Sequence, residues 1–306
     1  MNVSGNVTLV IEYRDSLFKA VTKNVIVVVL SISINYINAS LIQTFRKHQI
    51  FYTNPRYILF CHLVINDMIQ VCLTVVLFLL SYILYTINTS VCCAFILMAL
   101  FTTENTPLNV ACMAVECYIA ICLPLRHSQI CTVKRTYFLI GLIWMTSVIS
   151  VIPDLFITLA TMPIEFFQSE VFCLRETAFP NPLLLQKRQV TYMLYLVLVW
   201  MIIIYTYFKI LFTAKTASKD ARKARDTIIL HGFQVLLCMA TYAEHVLKIA
   251  LKEWFPRNYA DSLFACYIVV QILPRSISPI IYGVRDKMFR KYLRRHLLCR
   301  VKSEHN

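Results

Sequence analysis

Among the ionisable side chains, three stand out where water is scarce. Asp67, Glu104 and Arg275 each interrupt a long apolar stretch of the 306-residue chain. A charge in hydrocarbon is expensive, so such groups face a protein interior, pair with one another or with carbonyls, and carry function by default. Other chemistry has little footing. There is no zinc-ligand spacing and no nucleophile elbow, and 4 glycines leave scarcely any scope for a phosphate loop. No enzyme activity, cofactor or metal is expected.

Composition names the solvent in which those three residues must be placed. Hydrophobic residues fill 58% of the chain and charged residues 15%, against about 25% charged in a soluble domain. Mean hydropathy is +0.64. A surface this poor in polar groups belongs in lipid. The net charge of +14 is scattered between apolar runs rather than gathered in a patch, which fits a membrane protein and not a nucleic-acid partner. Most of the 12 cysteines, including Cys61, Cys72, Cys112, Cys122 and Cys238, lie inside those runs and read as small buried hydrophobes.

About 20 apolar residues are needed to cross roughly 30 Å of hydrocarbon. Such runs occur at 25–45, 57–83, 91–122, 136–158, 190–213, 226–251 and 260–282. Their length favours helices over barrel strands of about ten residues, and no repeat of the kind that builds transporters is present. The fold class expected is an all-α membrane protein, a seven-transmembrane helix bundle. It divides into an extracellular N-terminus (1–24), the bundle (25–282) and a cytoplasmic tail (283–306). The N-terminus lacks a cleavable signal pattern, so the first span is expected to act as its own targeting signal.

Loop charge sets the orientation. With the N-terminus outside, inner segments carry 20 Lys and Arg and outer segments 9, while Arg275 lies within the seventh span. Sequons at Asn2, Asn6 and Asn88 all fall outside, and a match at Asn38 lies within the first span and is discounted. The protein is thus expected in the plasma membrane, N-terminus out. After the last span, Met288, Phe289, Tyr292 and Leu293 recur at helical spacing among cations, as in an amphipathic helix on the anionic inner leaflet. Cys299 comes next as a palmitoylation candidate or a free cytosolic thiol.

Several motifs now carry a resemblance. Met113-Ala-Val-Glu116-Cys117-Tyr118-Ile-Ala-Ile-Cys122-Leu-Pro-Leu-Arg-His127 closely resembles the odorant-receptor signature Met-Ala-Tyr-Asp-Arg-Tyr-Val-Ala-Ile-Cys-x-Pro-Leu. Asn54-Pro-Arg-Tyr57 resembles that family's Thr-Pro-Met-Tyr, and Leu63-Val-Ile-Asn-Asp67 the second-span motif of rhodopsin-like receptors. Trp144 matches the fourth-span tryptophan. Lys223-Ala-Arg-Asp-Thr227 with His231 is similar to the entry of the sixth span, and Ser278-Pro-Ile-Ile-Tyr282 to Asn-Pro-x-x-Tyr. The chain resembles the divergent odorant receptors of fishes and amphibians over essentially its whole length. The resemblance implies a small-molecule odorant as ligand, a heterotrimeric G protein as partner and the lipid membrane as setting. Alternatives are a non-olfactory rhodopsin-like receptor for a lipid or peptide, or a channel or transporter. A light receptor would need a seventh-span lysine, and 260–282 has none.

The same resemblance assigns sites. It implies a disulfide between Cys92 and Cys173, with Cys93 as a competitor. It places a sodium ion at Asp67 with Thr106 and Ser278 as partners. Arg275, a turn before Pro279, points to the same interior; it either pairs with Asp67 in place of sodium or packs elsewhere on backbone carbonyls. Glu116, Cys117 and Tyr118 stand for Asp-Arg-Tyr, and with Tyr207 and Tyr282 they form the activation and G-protein motifs. Cysteine lacks the charge and forked donors of arginine, so neighbouring basic residues take that role, coupling is weak, or the chain no longer signals. Span six has no proline, and kinks are expected at Pro107 and Pro153. Ala99, Thr103, Glu104, Tyr195, Tyr242, Val246, Ile268 and Gln271 are the expected ligand-cavity residues. Glu104 is either a partner for a cationic or hydrogen-bonding ligand or a structural link to a neighbouring helix.

Overall fold

Each long helix begins at a side chain suited to begin it. In the computed structural model Ser16 accepts a hydrogen bond from the Lys19 amide and opens α1, Leu17–Lys47. Asn54 accepts from the Arg56 amide, and Pro55, whose missing N–H costs nothing in a first turn, opens α2, Pro55–Ile83. Asn88 caps α3, Thr89–Cys122, and Thr132 caps α5, Val133–Thr161. Between them lies a short helix α4, Pro124–Ile130. Beyond α5 come α6, Ile164–Gln168, α7, Arg175–Ala178, and the long α8, Pro182–Ala214. The chain is described over residues 16–84, 86–214, 228–229, 232–233, 236, 244–276 and 291. Further along the described residues come α9, Glu244–Trp254, and α10, Tyr259–Tyr267.

Among the described residues five helices (α1, α2, α3, α5 and α8) are long and apolar enough to cross a membrane. The sixth and seventh spans are described in part. They correspond to α9 and to α10, which runs through one turn of π-helix, Ile268–Ile272, into 273–276. The helices outrun the apolar runs at most ends. The first begins at Leu17 rather than 25, and α8 begins at Pro182 rather than 190. Hydrophobicity marks only the part inside the bilayer, whereas capped polar turns remain helical in the headgroup region. As a result Lys187 and Arg188, expected in an outer loop, belong to α8.

Side chains are distributed inside out. Large apolar groups such as Ile32, Phe138, Met145, Ile149, Met193 and Met201 are exposed around the bundle, while Asn66, Asp67, Glu104, Asn105, Asn109, Asp154 and Arg275 are buried within it. Water would penalise both arrangements; hydrocarbon favours both. At the centre α3 packs against α2, α5 and α8. Pro107 and Pro153 lie inside continuous helices.

The loop between α5 and α8 is tied to the top of α3. Two short strands, β1 (Ile87–Asn88) and β2 (Glu170–Val171), pair antiparallel with Ile87 opposite Val171. This is a small addition to the all-α expectation. Cys92 and Cys173 are disulfide-bonded across 81 residues with Cα atoms 5.5 Å apart. Cys93 does not compete, since its buried thiol donates to the Ala178 carbonyl at 3.4 Å. Asn88, exposed, places its Nδ2 3.5 Å from the Gln168 carbonyl. Asn2, Asn6, Tyr242, Ser278, Tyr282, Cys299 and, apart from helical Lys291, the amphipathic stretch at 285–298 lie outside the described residues.

Closing so long a loop removes chain entropy worth roughly 2–5 kcal/mol. Cys92→Ser is therefore expected to lower the yield of receptor at the cell surface and its thermal midpoint, whereas Cys93→Ser leaves both near wild type. Flow cytometry and a thermal-shift assay on the same variants read the difference.

Candidate functional site: the polar spine of the third helix

One face after another of α3 offers a polar group to a neighbouring helix. Thr103 Oγ1 accepts from Gln70 Nε2 on α2 at 2.9 Å. Glu104 Oε1 accepts from Ser150 on α5 at 2.9 Å, and Asn105 Oδ1 from Ser147 at 2.6 Å. Thr106 Oγ1 accepts from Asn66 Nδ2 at 3.0 Å, and Asn109 Nδ2 donates to the Leu59 carbonyl at 3.0 Å. Consecutive residues advance about 100° around a helix, so 103 to 106 address different neighbours. Without water, each of these bonds is the alternative to a bare polar group.

Two ionic centres hang on this spine. The first lies midway along α2 and α3. Arg275 Nη1 lies 3.5 Å from Asp67 Oδ1 and donates to Thr106 Oγ1 at 3.2 Å, with Arg275 1% and Asp67 0% exposed. Three helices thus meet on one guanidinium. Among the described residues the set does not fit a sodium ion, because a full positive charge already stands against the carboxylate and uses the threonine oxygen a cation would need. The π turn just before Arg275 inserts an extra residue into the helix and re-aims the side chains beyond it.

The second centre is built on Asp154, Lys187 and Arg188, which no sequence expectation covered. Asp154 on α5 receives Lys187 Nζ at 2.6 Å and Arg188 Nη2 at 2.8 Å from α8, and all but Lys187 are buried. Lys187 also donates to the Ser150 carbonyl at 2.8 Å. Glu104 joins through Ser150, and the Tyr195 hydroxyl reaches towards the Thr146 carbonyl at 3.5 Å. Arg175 from the disulfide-tied loop donates to the Tyr192 hydroxyl at 3.3 Å and stacks over its ring. The rule that flags Asp67 applies equally to Asp154, an acid in the fourth span, and is enough to find it; its partners are hidden by a helix that starts well before its apolar run.

At the opposite end, Cys117 is buried and Glu116 Oε1 is 3.1 Å from His127 Nε2 on α4. Tyr118 meets Tyr205 of α8 with ring centroids 6.0 Å apart, and Tyr207 packs against the inner core. A family model described as a seven-transmembrane receptor of the rhodopsin family matches residues 37–282. The chain belongs to the rhodopsin family of seven-transmembrane receptors. The receptor is also similar to "Odorant receptor 131-2" of Danio rerio, 32% identical over 290 residues that cover 92% of this chain and 87% of that protein.

Within the receptor the expected ligand residues do not all converge. Thr103 and Glu104 are bound to α2 and α5, and Tyr195 stands beside the Glu104 centre. Ala99 lies a turn above Thr103 and accepts its hydroxyl through the backbone carbonyl at 2.7 Å. Ile268 instead packs with Val27, Val71 and Ile272, at the junction of the first, second and seventh helices. Gln271 lies in the π turn and Val246 on α9. A face extrapolated at 3.6 residues per turn slips by one position across a π turn, which is why Ile268 departs from the expected face.

Removing one partner of a buried ion pair strands the other, at a cost of about 3–5 kcal/mol, while replacing both is often neutral. Arg275→Met is expected to destabilise the receptor by that order. Combining it with Asp67→Asn recovers most of the loss, as measured by thermal inactivation in detergent.

Proposed function

We propose that this receptor detects a small-molecule odorant outside the cell and activates a heterotrimeric G protein inside it. The observation that carries this reading is the similarity, over nine-tenths of the chain, to a protein named as an odorant receptor. The loop charge bias and the sequon at Asn88 support a plasma-membrane protein with its N-terminus out and its C-terminus in the cytoplasm. The ligand enters between the outer halves of the third, fifth, sixth and seventh helices, near Ala99, Thr103, Tyr195, Tyr242, Val246 and Gln271. Glu104, held by Ser150 and 1% exposed, orients the wall of that cavity as a structural link.

Signalling proceeds without the family's arginine. Arg275 replaces the sodium ion as the counter-charge of Asp67, tying the seventh helix to the third. Glu116 grips His127 of α4, so the short inner helix, rather than Cys117, carries the restraint that the family places on its Asp-Arg pair. Tyr118, Tyr207 and Tyr282 belong to the surface that changes on activation. Palmitoylation of Cys299 and an amphipathic helix after 283 would fasten the tail to the inner leaflet.

A cAMP reporter assay in cells carrying an olfactory-type G protein, challenged with classes of waterborne odorant, tests the proposal. At least one class is expected to raise cAMP. His127→Ala is expected to raise basal signal with surface level unchanged, and Glu104→Gln to lower surface level more than ligand sensitivity. Silence towards every class in receptor present at the surface would overturn the odorant reading.

A further inference from the structure

Outside the spine, the receptor has an apolar groove of about 270 Å³ open towards the lipid between α3, α5 and α8. Leu108 and Cys112 of α3, Leu142 and Thr146 of α5, and Leu198 and Ile202 of α8 line it. Thr146 Oγ1 donates to the Ile143 carbonyl of its own helix at 2.7 Å, so the walls offer a guest no free hydroxyl proton. A dry apolar cavity of even about 150 Å³ can hold a hydrocarbon guest.

The groove ends on cations. Continuing each wall at helical spacing towards the inner end leads to Tyr118 on α3, Arg135 on α5 and Tyr205 with Lys209 on α8. Lys209 Nζ sits 5.7 Å from the Tyr205 ring, which meets Tyr118 at 6.0 Å, and both Lys209 and Arg135 are exposed. Arg135 is held in place by the Gln129 and Ile130 carbonyls at 2.7 and 3.3 Å, bonds that leave its charge uncompensated. Glu116, the acid at this end of α3, is buried and engaged by His127.

Length selects the occupant. From Leu108 to Tyr118, Thr146 to Arg135 and Leu198 to Lys209, each wall runs about 15–17 Å at 1.5 Å per residue. That is the depth of one leaflet, half of roughly 30 Å. A second copy of the chain applied through this same face would bring Lys209 and Arg135 against their own counterparts. We propose that the groove between α3, α5 and α8 is a binding site for one anionic phospholipid of the inner leaflet. One acyl chain lies along the groove and the phosphate meets Lys209 and Arg135. The site rests on the proposed orientation and not on the odorant, and it bridges the three helices next to Tyr118.

The full-length receptor in phosphatidylcholine nanodiscs, doped with photoactivatable phosphatidylglycerol or with phosphatidylcholine carrying the same photoactivatable chain, tests it. Peptide mapping is expected to place phosphatidylglycerol labels on the groove segments 108–115 and 139–146 in excess over phosphatidylcholine. A basic residue near an anionic lipid contributes about fivefold, so Lys209→Gln is expected to lower that excess by about that factor. Arg135→Gln does the same, and Leu142→Trp, which fills the groove from its lipid side, removes labelling by both lipids. Equal labelling by the two lipids, or a preference indifferent to both charge variants, would overturn the proposal; so would cross-linking between receptor copies across this face in place of lipid. No odorant or G protein enters the assay, and glycan occupancy at Asn88 reports the orientation separately. Failure here is therefore distinct from failure of the odorant reading.

Discussion

Hydrocarbon offers a polar group no partner, and the architecture of this receptor derives from that constraint at Thr106. One hydroxyl on the third helix accepts from Asn66 of the second and from Arg275 of the seventh, and Arg275 stands 3.5 Å from Asp67. The two charges could not be buried singly, since each would carry a desolvation penalty of several kcal/mol. Together, with the threonine beside them, they fix the rotation and relative depth of three helices. Apolar packing against lipid-like side chains is too permissive to do this alone, because lipid tails compete with it on nearly equal terms.

The remaining polar contacts extend the same logic along α3. Towards the disulfide-tied end, Asp154 is gripped by two cations of α8 and linked through Ser150 to Glu104, so the packing of α3, α5 and α8 there is set by charge. The Cys92–Cys173 disulfide then holds the covering loop at the top of α3. Towards the other end, Asn109 donates to the Leu59 carbonyl and Glu116 meets His127. Cys117, lacking a guanidinium, packs as a small buried residue beside that pair.

Much of this architecture is legible in residue order. Apolar runs locate the helices because lipid demands them, and single charges within those runs locate Asp67, Glu104 and Arg275. Less legible is anything that depends on register. The start of α8 lies eight residues before its apolar run, which hides Lys187 and Arg188 in an apparent loop. Ile268 sits on a different face from the one expected because a π turn breaks the 3.6-residue period on which facing arguments rest. His127 stands inside the span-three signature but has meaning only once α4 folds back beneath Glu116. Local rules find residues; partners require the third dimension.

With Arg275 against Asp67, the carboxylate needs no metal ion to balance it. The most direct measurement is the thermal midpoint of purified receptor in sodium chloride and in choline chloride of equal ionic strength. The wild type is expected to show the same midpoint in both salts. A midpoint raised specifically by sodium, with the increment abolished in Asp67→Asn, would contradict it.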